Sequence, residues 1–268
     1  MLIPLAGRRI YCDLLGPDRA PVVCLTHSLA SDGGGWAEQM ETLLGLGFRV
    51  LRLDMRGHGG SDAVPGPYTM SELAGDVAAA LDHLRIENVH YVGLSIGGMF
   101  GQAFALEHPE RLLSAMWCDT LPESPPNNPT ARAERVRLVR EANSVAAVAD
   151  LAIQGWLADS FREQRPDRWR LIHDTIGSTQ PDGYLGALAA IWNFDFKPAL
   201  PDLQLPLFVV CGDQDRNTPV DRNRHLAELV PGARFALVPG GHHLSNIDVP
   251  EEFNRLLVEW LTQQRARV

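Results

Sequence analysis

Hydrophobic positions along this chain fall into short, nearly unbroken runs that alternate with longer stretches of helical spacing. The runs RIYCDLL, VVCLTH, RVLRLDM, VHYVGL, LLSAMWCDT, LFVVCGD and RFALVP predict strands. Several are apolar at almost every position, as a strand must be when both faces of its sheet are covered. Between them, residues 69–85 open with a Thr-x-x-Glu capping box, Thr69 to Glu72, and set Met70, Leu73, Val77, Leu81 and Leu84 on one helical face. Residues 250–264 start at Pro250, which suits the first helical position, with acidic residues in the first turn. This alternation predicts an α/β protein built on a doubly wound, mostly parallel sheet.

The rhythm breaks between residues 122 and 200. PESPPNNP opens the segment, helical patterns follow, and KPALPDLQLP closes it. The expected organisation is a core domain of residues 1–121 and 201–268, with residues 122–200 inserted between two strands as a helical cap. The use of such a cap is to enclose a substrate.

Composition narrows the picture. A chain of 268 residues with 45% hydrophobic content is long enough for one large core. Its net charge of −9, spread along the chain, disfavours nucleic acid and anionic membranes as partners. No apolar run reaches the roughly 20 residues that span a bilayer, and the N-terminus lacks the layout of a secretion signal. Cys12, Cys24, Cys118 and Cys211 stand far apart with no CxxC pair, which suggests buried thiols and a cytoplasmic setting. His242 and His243 are adjacent in a Gly-rich loop, but no HExxH or CxxC pattern completes a metal site, so neither metal nor cofactor is expected.

The strongest motif is GLSIG, residues 93–97, directly after the run VHYVGL and at the start of a helical pattern. A strand-to-helix turn this sharp forces Ser95 into a strained backbone, leaves no room for side chains at Gly93 and Gly97, and lifts the serine hydroxyl clear of the sheet. It also aims the Ile96 N–H at the same place, beside a helix N-terminus that favours negative charge. The loop HSLASDGGGW after VVCLTH can bring the Leu29 N–H to that spot as a second oxyanion donor. His27 is read as shaping this loop.

A serine hydroxyl needs an imidazole to take its proton and a carboxylate to orient the imidazole. Two downstream strands end in candidates: Asp213 and Asp215 after LFVVCG, and His242 and His243 after RFALVP. Asp119, after LLSAMWC, is a third carboxylate, read by default as lining the floor of a pocket. Ser28, Trp117, Trp156 and Trp192 are further candidates for lining that pocket.

HSLASD at 27–32, DMRGHGGSD at 54–62, Tyr68, GLSIGGMFGQ at 93–102, GDQDRNTP at 212–219 and HLSNIDVPEEFN at 243–254 together resemble the α/β-hydrolase superfamily. Within it the chain is most similar to the 3-oxoadipate enol-lactonases, through the HSL opening, GGM-x-GQ after the serine, the H-x-SNI run, and GYLGALAAI with FDFKP in the inserted segment. The resemblance implies the α/β-hydrolase fold and Ser95 as nucleophile. It implies Asp215 as acid, four positions before Pro219, and His243 as base, seven positions before Pro250. It assigns Asp54, Arg56 and His58 to loop ordering. GGGW at 33–36 departs from the family, whose members carry bulkier residues before the Trp.

The chemistry expected is cofactor-independent hydrolysis of a small carboxylic ester or lactone, such as 3-oxoadipate enol-lactone in the breakdown of aromatic compounds. An enol-lactone bears a carboxylate, so a cation should face the pocket; Arg132, Arg135, Arg162 and Lys197 are the candidates. The aromatic residues Trp156, Trp169, Trp192, Phe194 and Phe196 point alternatively to a larger apolar ester. A cofactor-free perhydrolase or haloperoxidase-like esterase, or a C–C bond hydrolase, would use the same three residues. A ligand receptor on the same scaffold is the alternative outside catalysis. Oligomeric state is not legible in the sequence.

Overall fold

The computed structural model describes residues 1–265. Eight strands form one sheet: β1 (Leu2–Leu5), β2 (Arg8–Leu15), β3 (Val22–Thr26), β4 (Arg49–Leu53), β5 (Val89–Leu94), β6 (Leu112–Cys118), β7 (Leu207–Gly212) and β8 (Arg234–Val238). Their order across the sheet is β1-β2-β4-β3-β5-β6-β7-β8. β2 pairs antiparallel with both β1 and β4, and every pairing from β4 through β8 is parallel. β3, β5 and β7 are buried at every position, as their unbroken apolar runs require.

β1 is the strand the hydrophobic pattern does not predict. It is four residues long, contains Pro4, and is held by the tight turn at Gly7 that folds it onto β2. An edge strand can carry a proline because one of its sides needs no ladder partner.

Eleven α-helices accompany the strands among the described residues. α1 (Ala37–Gly45), α2 (Met70–Leu84), α3 (Ile96–Glu107), α9 (Val220–Leu229), α10 (Ser245–Asp248) and α11 (Pro250–Arg265) lie along the core. α2 packs on α3, and α1 packs on α11. The capping box is present: the Glu72 N–H donates to Thr69 Oγ1 at 3.1 Å, and the Thr69 N–H donates to Glu72 Oε2 at 2.8 Å.

Between β6 and β7 the chain leaves the sheet and forms α4 (Pro129–Ala142), α5 (Ala149–Ile153), α6 (Phe161–Gln164), α7 (Pro166–Ser178) and α8 (Pro181–Ile191). The two ends of this excursion are laced together. The Ser124 N–H donates to the Phe194 carbonyl at 2.9 Å, and the Phe196 N–H donates to the Pro122 carbonyl at 2.9 Å. Glu123 at one end ion-pairs with Lys197 at the other and with Arg222 of α9. α8 sits close on the loop after β4: a Cβ on Gly183 would lie 2.4 Å from the Gly57 backbone, so only glycine fits there. α7 is fastened to α1 by Arg165 and Arg168, which both pair with Glu38.

Candidate functional site

The strand tips on one side of the sheet gather the candidate residues. Ser95 follows β5 with φ 56° and ψ −118°, a conformation that a residue with a side chain adopts only under constraint. The glycines supply the room. A Cβ on Gly93 would lie 2.4 Å from the Gly97 carbonyl oxygen, and one on Gly97 would lie 2.4 Å from the Thr26 carbonyl oxygen. The turn is pinned on both sides: the Ser95 N–H donates to the Cys118 carbonyl at 2.9 Å, and Thr120 Oγ1 donates to the Ser95 carbonyl at 2.7 Å. Ser95 begins α3 without using its side chain as a cap, so its hydroxyl is left for another partner.

That partner is His243. Its Nε2 lies 2.9 Å from Ser95 Oγ, and its Nδ1 lies 2.9 Å from Asp215 Oδ2. Asp215 sits in the turn after β7, where its Oδ1 accepts the N–H groups of Asn217 at 2.7 Å and Thr218 at 3.0 Å, and Thr218 Oγ1 donates to Oδ2. All three side chains are buried, Ser95 and His243 being 6% and 5% exposed. Their surroundings set the charges. Burial alone would pull the His243 imidazole down. The Asp215 charge and hydrogen bond, with Asp119 adding to them, outweigh it and hold His243 above its ordinary 6.5. Burial likewise pushes Asp215 up, but His243 and then Thr218 hold its carboxylate below the usual 3.8.

Read as the base of this site, His243 must be neutral to accept a proton, and its pKa is raised. We therefore expect kcat/KM for an uncharged ester to be full at alkaline pH and to fall as pH drops through a midpoint above 6.5. A pH–rate profile over the range where the protein stays folded checks this; a midpoint below 6 would contradict it.

The second members of each pair are occupied elsewhere. His242 Nδ1 lies 2.7 Å from Asp248 Oδ2, bracing the loop between β8 and α11. Asp213 Oδ1 accepts the Gly240 N–H at 2.8 Å and joins the two strand-end turns. His27 spends both ring nitrogens on the backbone, Nδ1 facing the Ser28 carbonyl at 2.7 Å and Nε2 accepting the Met55 N–H at 2.9 Å. Asp54, Arg56 and His58 order the loop after β4. Asp54 accepts the N–H groups of Gly33 and Gly60, Arg56 donates to Asp76 at 2.6 Å, and burial pushes His58 down to about 3.

Near the serine, neither the Leu29 nor the Ile96 N–H is taken by a protein acceptor among the described residues. Ala30, next to Leu29, has φ 54°. Of the five described residues other than glycine with positive φ, Arg85 and Asn143 end helices, while Ala30, Ser95 and Asp119 stand at the strand tips around His243. Strain held in place like this is characteristic of working sites.

Two pocket candidates need correction. Trp117 is fully buried within β6, in register with Gly93 and Val209, and belongs to the sheet core. Asp119 does not line a pocket floor: it has no exposed surface, and its two oxygens accept the Gly212 N–H at 2.7 Å and the Ser245 hydroxyl at 2.5 Å. Ser28 is buried in the loop before Leu29, with no partner for its hydroxyl among the described residues. Trp156 packs against His243, ring centroids 6.2 Å apart, and lines a cavity of about 160 Å³ with Ala30, Arg168, Ile172 and Leu244. Trp192 lies half-buried under the Arg132 guanidinium, 5.0 Å away.

Asp119, Cys211 and Asp215 bring one donor atom each within 4.8 Å of one another. Both carboxylates are already engaged by protein donors, so the cluster is a hydrogen-bonding network and not an open ligand set. Among the described residues no helix is long and apolar enough to cross a membrane. The residues the sequence reading missed are Thr218, Ser245 and Asn246. Asn246 donates to the Gly35 carbonyl at 2.8 Å and so ties the loop after β8 to the Leu29 loop. Their only signal was their place in the DRNT and LSN stretches beside the candidate acid and base.

The family model for the alpha/beta hydrolase fold matches residues 21–250. A 3-oxoadipate enol-lactonase of Acinetobacter baylyi is 30% identical over 234 residues, covering 87% of this chain and 86% of its own. A second 3-oxoadipate enol-lactonase of that organism is 28% identical over 254 residues, covering 94% and 93%. The crystal structure of the enol-lactonase from Burkholderia xenovorans superimposes with a TM-score of 0.92 at 32% identity, over 98% of this chain and 100% of that one. With sheet order, serine turn and these likenesses in agreement, the chain belongs to the alpha/beta hydrolase fold family and resembles the enol-lactonases within it.

Proposed function

We propose that this chain hydrolyses a carboxylic ester or lactone through Ser95, His243 and Asp215. The observation that carries the reading is the continuous relay from Asp215 through His243 to a serine on a strained turn, 2.9 Å at each link. Ser95 Oγ attacks the acyl carbon while His243 Nε2 takes its proton. The Leu29 and Ile96 N–H groups hold the oxyanion, each such donor being worth about 3–4 kcal/mol in the transition state. Asp215 keeps the imidazole in the tautomer that presents a free Nε2 and stabilises the imidazolium once it forms. His243 then protonates the leaving oxygen, which in a lactone stays tethered to the acyl group. Water, deprotonated by the same imidazole, releases the acid and restores the serine.

The substrate we propose is an anionic enol-lactone such as 3-oxoadipate enol-lactone, enclosed by residues 122–200 acting as a cap. The names of the two enol-lactonase relatives support this. So does the state of the cap cations. Lys197 is spent on Glu123, whereas Arg132 and Arg135 on α4 have no carboxylate within ion-pairing distance among the described residues. The test is a substrate panel of enol-lactones, simple lactones and aryl esters, each run beside Ser95→Ala. Preference for the anionic enol-lactone is expected. Turnover of aryl esters with none of the enol-lactone would overturn the substrate and leave the chemistry standing.

A further inference from the structure

Three consecutive residues at the end of β6 touch each of the loops that bear Ser95, Asp215 and His243. The Cys118 carbonyl and the Thr120 hydroxyl hold the Ser95 backbone from its two sides. Between them, Asp119 has φ 46°, and its N–H donates to the Val210 carbonyl of β7 at 2.9 Å. Its side chain points at neither solvent nor the serine. One oxygen accepts the N–H of Gly212, three residues before Asp215; the other accepts the hydroxyl of Ser245, two residues after His243.

We propose that Asp119 is the positioning residue of this site, a single buried carboxyl group that fixes the Asp215 turn and the His243 loop to one another. The inference rests on the reading of Ser95, His243 and Asp215 given above. Besides the Asp215–His243 hydrogen bond, the two turns meet through Asp213, whose N–H donates to the Val238 carbonyl at 3.1 Å and whose carboxylate accepts the Gly240 N–H, and through the Gln214 N–H, which donates to the Gly241 carbonyl at 2.9 Å. Asp213 and Gln214 are both exposed. Asp119 and Ser245 have no exposed surface, so Asp119 supplies a buried side-chain tether between the turns.

The groups facing Asp119 are Asp215 and His243, with the thiols of Cys118 and Cys211 beside them. Burial first, then the Asp215 charge, push Asp119 up to about 8 against the opposing pull of His243 and its own hydrogen bonds. An asparagine side chain keeps an acceptor for the Gly212 N–H and a polar partner for Ser245.

The test compares Asp119→Ala, Asp119→Asn and Ser245→Ala with the wild-type protein, using the best ester from the panel, with Ser95→Ala as the blank. A displacement of the base by about 1 Å is worth about a hundredfold in rate. Asp119→Ala is therefore expected to lose about a hundredfold in kcat, with KM within about twofold. Asp119→Asn should recover most of that loss. Ser245→Ala, which removes one tether only, should fall between, and it stands in for Asp119→Ala if the latter does not fold. Wild-type kcat in folded Asp119→Ala, or in Ser245→Ala where that variant stands in, would overturn the proposal. An Asn variant as slow as the Ala variant would overturn it as well, since Asn keeps the bridge. Activity surviving in Ser95→Ala would instead overturn the underlying reading.

Discussion

Replacing His243 by alanine is expected to lower turnover by on the order of 10⁵-fold, whereas replacing His242 should leave it within about threefold. The two histidines are neighbours with the same chemistry, so the difference isolates position. His243 reaches Ser95 and Asp215 at 2.9 Å each. His242 turns the other way, to Asp248, and its removal costs one hydrogen bond that braces a loop, about 1 kcal/mol of stability. Steady-state kinetics on both variants decide the matter. The reverse ranking would make His242 the base and dissolve the assignment of Asp215 along with it.

Replacing Ser95 by alanine is expected to cost on the order of 10⁶-fold in kcat on every ester or lactone the protein accepts. The alanine variant keeps the turn, since the strain lies in the backbone and the glycines around it are unchanged. It also keeps the Leu29 and Ile96 N–H groups. What remains should therefore be the small rate enhancement over water that those donors give by themselves. Substrate binding should be almost unaffected. A variant that turns over its best ester at the wild-type rate would show that the nucleophile lies elsewhere.

The sheet and the site were legible to different degrees, for physical reasons. β3, β5 and β7 are buried on both faces, which forces apolar residues at every position and makes them plain in the sequence. β1 was not visible, because four residues on an edge need no such pattern. The predicted strand runs overshot into His27, Asp54, Asp119 and Asp213, the residues just past the strand ends. Ser95 could be singled out from the Gly-x-Ser-x-Gly turn, and Asp215 and His243 from the resemblance to the α/β-hydrolases, whose acid and base are counted back from the prolines that Pro219 and Pro250 match.

Asp119 shows where the sequence stops informing. An acidic residue after a strand reads as a pocket residue by default, and only the fold places the Gly212 N–H and the Ser245 hydroxyl on either side of it. Those partners lie 93 and 126 residues away along the chain, beyond any local pattern. Trp117 fails for the same kind of reason: its neighbours Gly93 and Val209 are set by strand pairing, and that pairing puts it in the core. The SN pair after His243 gains a meaning that its spacing never carried. Ser245 anchors the loop to the end of β6, and Asn246 anchors it to the Leu29 loop.

The central claim is that Ser95 is the nucleophile and His243 its activating base. Peptide mass mapping after exposure to an aryl alkylphosphonate tests it most directly, because the phosphorus is attacked as the acyl carbon would be and the adduct stays in place. The account predicts one adduct per chain, on Ser95, with activity lost in proportion and labelling much slower in His243→Ala. Complete inactivation with the adduct on another residue, or full activity in a chain labelled at Ser95, would contradict it.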